Sequence, residues 1–97
     1  MNLEKFNKAF ENKARLGIMS VLLVNDSMNF NGLKELLEMT DGNLATHIKA
    51  LEKVGFIWVT KAFVNRKPNT SYRATAAGKM AFVEHLAVLE AFIRKNV

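Results

Sequence analysis

Six cations stand together in a long stretch of this chain that contains no acid. Between Glu52 and Glu84 the sequence carries Lys53, Lys61, Arg66, Lys67, Arg73 and Lys79, with no Asp or Glu among them. The remaining segments carry eight bases against nine acids, so the excess behind the net charge of +5 belongs to one continuous third of the chain. The chemistry open to such a stretch is neutralisation of a polyanion, since each phosphate met by Lys or Arg releases its counterions. Other chemistries lack their parts. Cysteine is absent, which excludes disulfides, thiolate metal sites and thiol nucleophiles. His47 and His85 are the only imidazoles, and neither has a nucleophile and an orienting partner nearby in sequence. Glu35 and Glu38 share a helix face as solvated carboxylates, and no Gly-rich phosphate loop occurs. Neither catalysis nor a cofactor or metal is expected.

The elements that must position these charges follow from periodicity. The 97 residues, 49% of them apolar, make one domain with a modest core. Its expected parts are an N-terminal helix or arm over 1–12, a central unit over 13–75 and a last helix over 76–97. The N-terminus is polar, and the longest apolar runs fall far short of the roughly 20 residues of a membrane span, so a cytoplasmic protein is expected. Leu3, Phe6 and Phe10 have helical spacing. Leu16, Met19, Leu22 and Leu23 form the stripe of a second helix, for which Asn12 is the N-cap. Asn31 is read as the cap of a third, carrying Leu33, Leu36 and Leu37. After a break at Met39–Gly42, Thr40 or Asp41 caps a fourth with Leu44, Ile48, Leu51 and Val54 inward, and Gly55 stops it. The period then changes. Residues 56–64 are β-branched and aromatic and read as a strand, 65–69 as a turn, and 70–74 as the returning strand. Thr75 can cap the final helix.

Helix, helix, turn, helix and a basic-tipped hairpin is the order of a winged helix-turn-helix: mainly α, with a small β-hairpin. At about 100° per residue, Leu44, Ile48 and Leu51 occupy one arc of the 41–54 helix, and Asn43, Thr46, Lys49, Ala50 and Lys53 the opposite one. His47 lies on the margin, where it could meet bases or phosphates or else pack. Asn43, Thr46 and Ala50 are suited to base edges or a thymine methyl, and Lys49 and Lys53 to a guanine edge or phosphates. Lys61, Arg66, Lys67 and Arg73 of the hairpin suit phosphates or a minor groove.

The runs Arg15-Leu16-Gly17-Ile18-Met19, Leu33-Lys34-Glu35-Leu36 and Thr40-Asp41-Gly42-Asn43-Leu44 resemble the winged-helix regulators of the MarR/ArsR superfamily. The closest resemblance is to its small single-domain group, in which a Thr-Asp-Gly-Asn-Leu motif opens the recognition helix. The likeness continues through His47-Ile48, residues 51–57, Lys61, Phe63, Arg66, Pro68-Asn69-Thr70, Tyr72, Thr75 and Gly78, about residues 14 to 90 in all. Ala74 departs from it, standing where the family usually has Leu. The resemblance implies a dimeric transcriptional regulator that binds double-stranded DNA, with the 41–54 helix in the major groove and the 56–74 hairpin as wing.

The last helix is richer in apolar residues than one buried face requires. Phe82, Leu86, Leu89 and Ile93 form one stripe, and Val88 and Phe92 lie on a second. With His85 and with Leu3, Phe6 and Phe10 of the N-terminal segment they are the expected homodimer interface, which would make the operator roughly palindromic. The rival reading is a winged helix used for protein contacts alone, which the basic stretch disfavours. Structured RNA and membranes fit less well, because RNA's deep groove excludes a helix and the bases do not line one helix face. No residues specify a pocket for a small-molecule effector.

Overall fold

Helix α1 (Lys13–Val24) is apolar almost all round its axis, which places it at the centre of the molecule. Asn12 caps it by accepting the Ala14 N–H at 2.8 Å, and Ile18, Met19, Val21 and Leu22 are buried on it. The computed structural model describes residues 3–96; Met1, Asn2 and Val97, the ends of the expected domain, lie outside them. The short strand β1 (Met28–Asn29) leads directly into α2 (Phe30–Leu37). Its cap is Asn29, whose side chain accepts the Gly32 N–H at 2.7 Å. The expected cap, Asn31, lies inside the first turn, because the helix begins as soon as β1 ends.

Two C-terminal turns set the helix-turn-helix. Glu38 adopts the left-handed conformation (φ 52°, ψ 50°), and the Met39 N–H reaches back to the Lys34 carbonyl at 3.1 Å. This closure stops α2 and leaves Thr40 extended, free to cap α3 (Asp41–Lys53) through the Asn43 N–H. Leu44, Ile48 and Leu51 of α3 are buried against the core. At its far end Gly55 takes φ 83°, and the Gly55 and Phe56 N–H groups close on Glu52 and Leu51. Glycine meets the left-handed requirement without the usual side-chain penalty.

Strands β2 (Ile57–Val64) and β3 (Lys67–Ala74) form an antiparallel hairpin, and β1 pairs with the other edge of β3. Only Asn65 and Arg66 separate the long strands, both at positive φ (52° and 65°), the geometry that matches strand twist in a two-residue turn. The turn is thus tighter than the five residues expected, and β3 begins three residues earlier. Pro68 belongs to it, opposite Phe63. The pair next to the turn, Val64 and Lys67, takes the hydrogen-bonded position, so Pro68 falls at a non-hydrogen-bonded one. Its missing N–H faces away from β2, where β1 reaches only to Ser71.

Thr75 caps α4 (Ala76–Lys95) and fastens it to the exit of α3. Its N–H donates to the Phe56 carbonyl at 3.0 Å, and its hydroxyl donates to the Gly55 carbonyl at 2.7 Å. Gly78 then packs so closely that a Cβ there would lie 2.3 Å from the Phe56 oxygen. The N-terminal segment corrects the expected helix. It consists of two 3-10 turns, Leu3–Lys5 and Lys8–Phe10, separated by an extended Asn7 whose side chain accepts the Ala9 N–H. Its apolar spacing serves tertiary packing along α4. Phe6 lies on Phe92 with ring centroids 4.9 Å apart, and Phe10 sits among Phe56, Phe82 and His85.

Candidate nucleic-acid interface

The outer arc of α3 is open. Asn43, Thr46, Lys49 and Lys53 are exposed, together with Gly42 and Ala45, which have too little side chain to signal a binding face in the sequence. The Thr46 hydroxyl donates to the Gly42 carbonyl at 2.9 Å, which holds its side chain near the helix N-terminus. Ala50 is half-buried at the edge of this arc. His47 is also half-buried and turned towards α1, where its Nδ1 accepts the Arg15 Nε–H at 3.3 Å. Arg15 therefore belongs to the margin of this face, a placement invisible to charge counting because Glu11 lies nearby in sequence. Lys13 is a second cation missed in this way. With Asn12, Thr40, Asn43 and His47 it lines a cleft of ≈ 660 Å³ between the starts of α1 and α3. Glu38 lines the same cleft, so it holds a carboxylate as well as the Lys13 ammonium.

The Lys34 ammonium lies 2.7 Å from Asp41 across the turn between α2 and α3. Asp41 is largely exposed and Lys34 partly so, and the pair adds at most about 1 kcal/mol. Its larger consequence is electrostatic: it offsets the one carboxylate in the first turn of α3.

The hairpin divides charges that are continuous in sequence. Side chains alternate across a strand. Ile57, Val59 and Tyr72 face the helices, and so, further out, do Lys61, Phe63 and Pro68. Lys67 and Arg73 point to the opposite face, which Trp58 shares, directly across from Arg73. Arg73 and Trp58 line a cleft of ≈ 460 Å³ with Asp26 and Lys79, at the foot of the hairpin. Residues 60–68 are all exposed, so the outer part of a hairpin about 26 Å long projects clear of the body. Arg66 occupies its turn in the left-handed region, a conformation costing roughly 1 kcal/mol or more for a residue with a Cβ.

The aromatic residues expected at a dimer interface divide in two. Phe10 and Phe82 are buried within the chain's own core. This corrects their assignment to a partner surface: closure of the N-terminal segment over α4 consumes them. Phe6, His85 and Phe92 are half-buried in the same closure, with His85 Nδ1 accepting the Asn7 N–H at 3.3 Å, and Val88 is half-buried too. Leu86, Leu89 and Ile93 remain exposed, as do Leu3, Met80 and Val83. Tyr72 is buried on β3, and desolvation, reinforced by the negative charge of Glu52, raises its pKa above the ordinary phenol value. Among the described residues no group of three or more His, Asp or Glu side chains could hold a metal, and no helix is long and apolar enough to cross a membrane.

A three-helix body with an open α3 and a projecting basic hairpin defines a winged helix-turn-helix of the DNA-binding type. The chain belongs to the winged helix DNA-binding domain family, whose model matches residues 14–93. An uncharacterised protein of Methanocaldococcus jannaschii is 35% identical over 79 residues, which span 81% of this chain and 86% of that one. The transcriptional regulator homologue protein of Pyrococcus horikoshii OT3 is 30% identical, with a TM-score of 0.81 over 96% of this chain and 97% of that chain. YusO of Bacillus subtilis, 19% identical, shares the fold with a TM-score of 0.80 over 98% of this chain and 67% of its own. Family and fold are those of DNA-binding transcriptional regulators, not of enzymes.

Proposed function

We propose that the protein binds operator DNA as a homodimer, with α3 in the major groove and the β2–β3 hairpin as wing. The observation that carries this reading is the exposed arc of α3 bearing Asn43, Thr46, Lys49 and Lys53, beside a hairpin whose Arg66 and Lys67 stand clear of the body. Asn43, Thr46 and Ala50 meet base edges, and His47 orients the face through Arg15. Lys49, Lys53, Lys61, Arg66, Lys67 and Lys13 meet phosphates or the minor groove. Arg73, at the foot of the outer hairpin face, is the outlying member of the set. Dimerisation uses the stripe that α4 leaves open, Leu86, Leu89 and Ile93 with Val83, since a helix with apolar residues outside its packed face gains by covering them. A two-fold dimer would set two recognition helices about 34–36 Å apart on a roughly palindromic site. Such a regulator works where the chromosome is, in the cytoplasm.

The test is fluorescence anisotropy on a random-sequence duplex at several salt concentrations, followed by operator selection. Affinity should fall linearly with salt on logarithmic axes. Arg66→Ala should weaken binding on every sequence and lower the salt slope by about 0.9 for each protomer, about 1.8 for the dimer, whereas Arg73→Ala should change it least. Asn43→Ala should instead blur preference at one operator position by about 1–3 kcal/mol. Equal losses from Arg66→Ala and Asn43→Ala on all sequences would refute this division of roles. Absence of binding at low salt would leave a protein-contact module.

A further inference from the structure

The wing carries an apolar side chain where charge alone would serve. Phe63 is 78% exposed, one of the most exposed large apolar residues described. It lies one residue before the pair that closes the turn, directly opposite Pro68, on the face of the hairpin that also carries Lys61. Side chains at a non-hydrogen-bonded pair stand close together, so the ring and the pyrrolidine form one rigid ridge across both strands. Pro68 also stiffens the strand beneath the ring. Among the described residues none covers this ridge, although the buried core begins only a few residues away, at Ile57 and Tyr72. Its surroundings are cationic: Lys61 on the same face, Arg66 in the turn and Lys67 beyond it, with no acid between Glu52 and Glu84.

We propose that Phe63, backed by Pro68, is an apolar wedge that the wing seats in the minor groove of DNA. It presses between adjacent base steps while Arg66 and Lys67 hold the flanking phosphates. The proposal rests on the DNA-binding reading and adds to it a site of groove deformation. Apolar side chains delivered by cations can offset the cost of unstacking with the extra surface that bent DNA brings into contact. Deformability would then contribute to sequence preference at base pairs that α3 does not touch, favouring flexible pyrimidine–purine steps. Charge complementarity selects nucleic acid over an apolar protein groove as the occupant, because Lys61 on the same face and Arg66 in the turn would have to be desolvated against such a groove.

Two alternating polymers test this without knowledge of the operator. Poly(dI-dC) and poly(dG-dC) present the same major-groove hydrogen-bonding groups, but only guanine places an amino group on the minor-groove floor. The full chain should bind the inosine polymer several-fold more tightly. Phe63→Ala should lose most of that preference, Phe63→Leu should keep it, and Arg66→Ala should weaken binding to both polymers. In parallel, a closed circular plasmid relaxed by topoisomerase should be left underwound by the wild type and by Phe63→Leu, but not by Phe63→Ala at equal occupancy. Because Phe63 is exposed, Phe63→Ala should melt like the wild type. A Phe63→Ala protein that keeps both the preference and the unwinding overturns the wedge. So does a change in its oligomeric state by light scattering, which would make Phe63 a subunit contact. Failure of the wild type to bind either polymer would refute the DNA-binding reading itself.

Discussion

Gly78→Ala tests how tightly α4 is fastened to the exit of α3. In an exposed helix interior this substitution stabilises by about 1 kcal/mol, since alanine loses less backbone entropy on folding. Here the new Cβ would lie 2.3 Å from the Phe56 carbonyl oxygen and 3.0 Å from its Cα, roughly an ångström inside ordinary contact. The obstacle is backbone, so no rotamer can relieve it. The N-terminus of α4 must lift. Lifting stretches the Thr75 bonds to Phe56 and Gly55, each worth about 0.5–1.5 kcal/mol. It also disturbs the seat of Phe82, and overpacking of this kind costs about 1–3 kcal/mol. Set against the propensity gain, the expected net loss is about 2–3 kcal/mol, which for a domain this size lowers Tm by roughly 10–20 °C. Circular dichroism melts of Gly78→Ala and Gly42→Ala make the comparison, because a Cβ at Gly42 would meet nothing within 4 Å and should be neutral or stabilising. Equal or higher stability of Gly78→Ala would refute the close approach and with it the fastening of α4.

Glu38, Asn65 and Arg66 hold left-handed turns without being glycine, and of the three only asparagine adopts that region readily, so Glu38→Gly and Arg66→Gly should each raise stability by up to about 1 kcal/mol in urea titrations. Only Arg66→Gly should weaken DNA binding; unchanged affinity would show that the guanidinium is idle. The buried Tyr72 phenol has a raised folded-state pKa, so the unfolded chain releases its proton first and stability falls as pH rises above about 10. Tyr72→Phe should flatten that fall between about pH 9 and 11, and an equally steep profile would refute the assignment. Ile93→Lys places a cation near the C-terminus of α4, where the helix dipole favours it, so the fold should persist. Sedimentation equilibrium should then report monomer, and an intact dimer would move the interface elsewhere.

The sequence alone determined the local events. Asn12 and Thr75 cap helices because each precedes an apolar periodic run, and Gly55 stops α3 because a left-handed residue favours glycine. The basic stretch and the polar arc of α3 were equally legible, since charge and helical period are properties of residue order. Choices between local alternatives were not. Asn29 and Asn31 are both competent caps, and pairing of β1 with β3 decided for Asn29. The spacing of Leu3, Phe6 and Phe10 suits a helix, yet the segment forms two short turns, because closing Phe6 and Phe10 over α4 outweighs helical propensity in so short a run. The same closure, which joins residues nearly a chain length apart, decided that Phe82 is core while Leu89 and Ile93 stay open. The pleat of the hairpin likewise sent Lys61 and Arg73 to opposite faces. Caps, stops and charge depend on neighbours within a few residues. Burial depends on which distant surfaces meet, and that was settled only when the helices and the hairpin packed together.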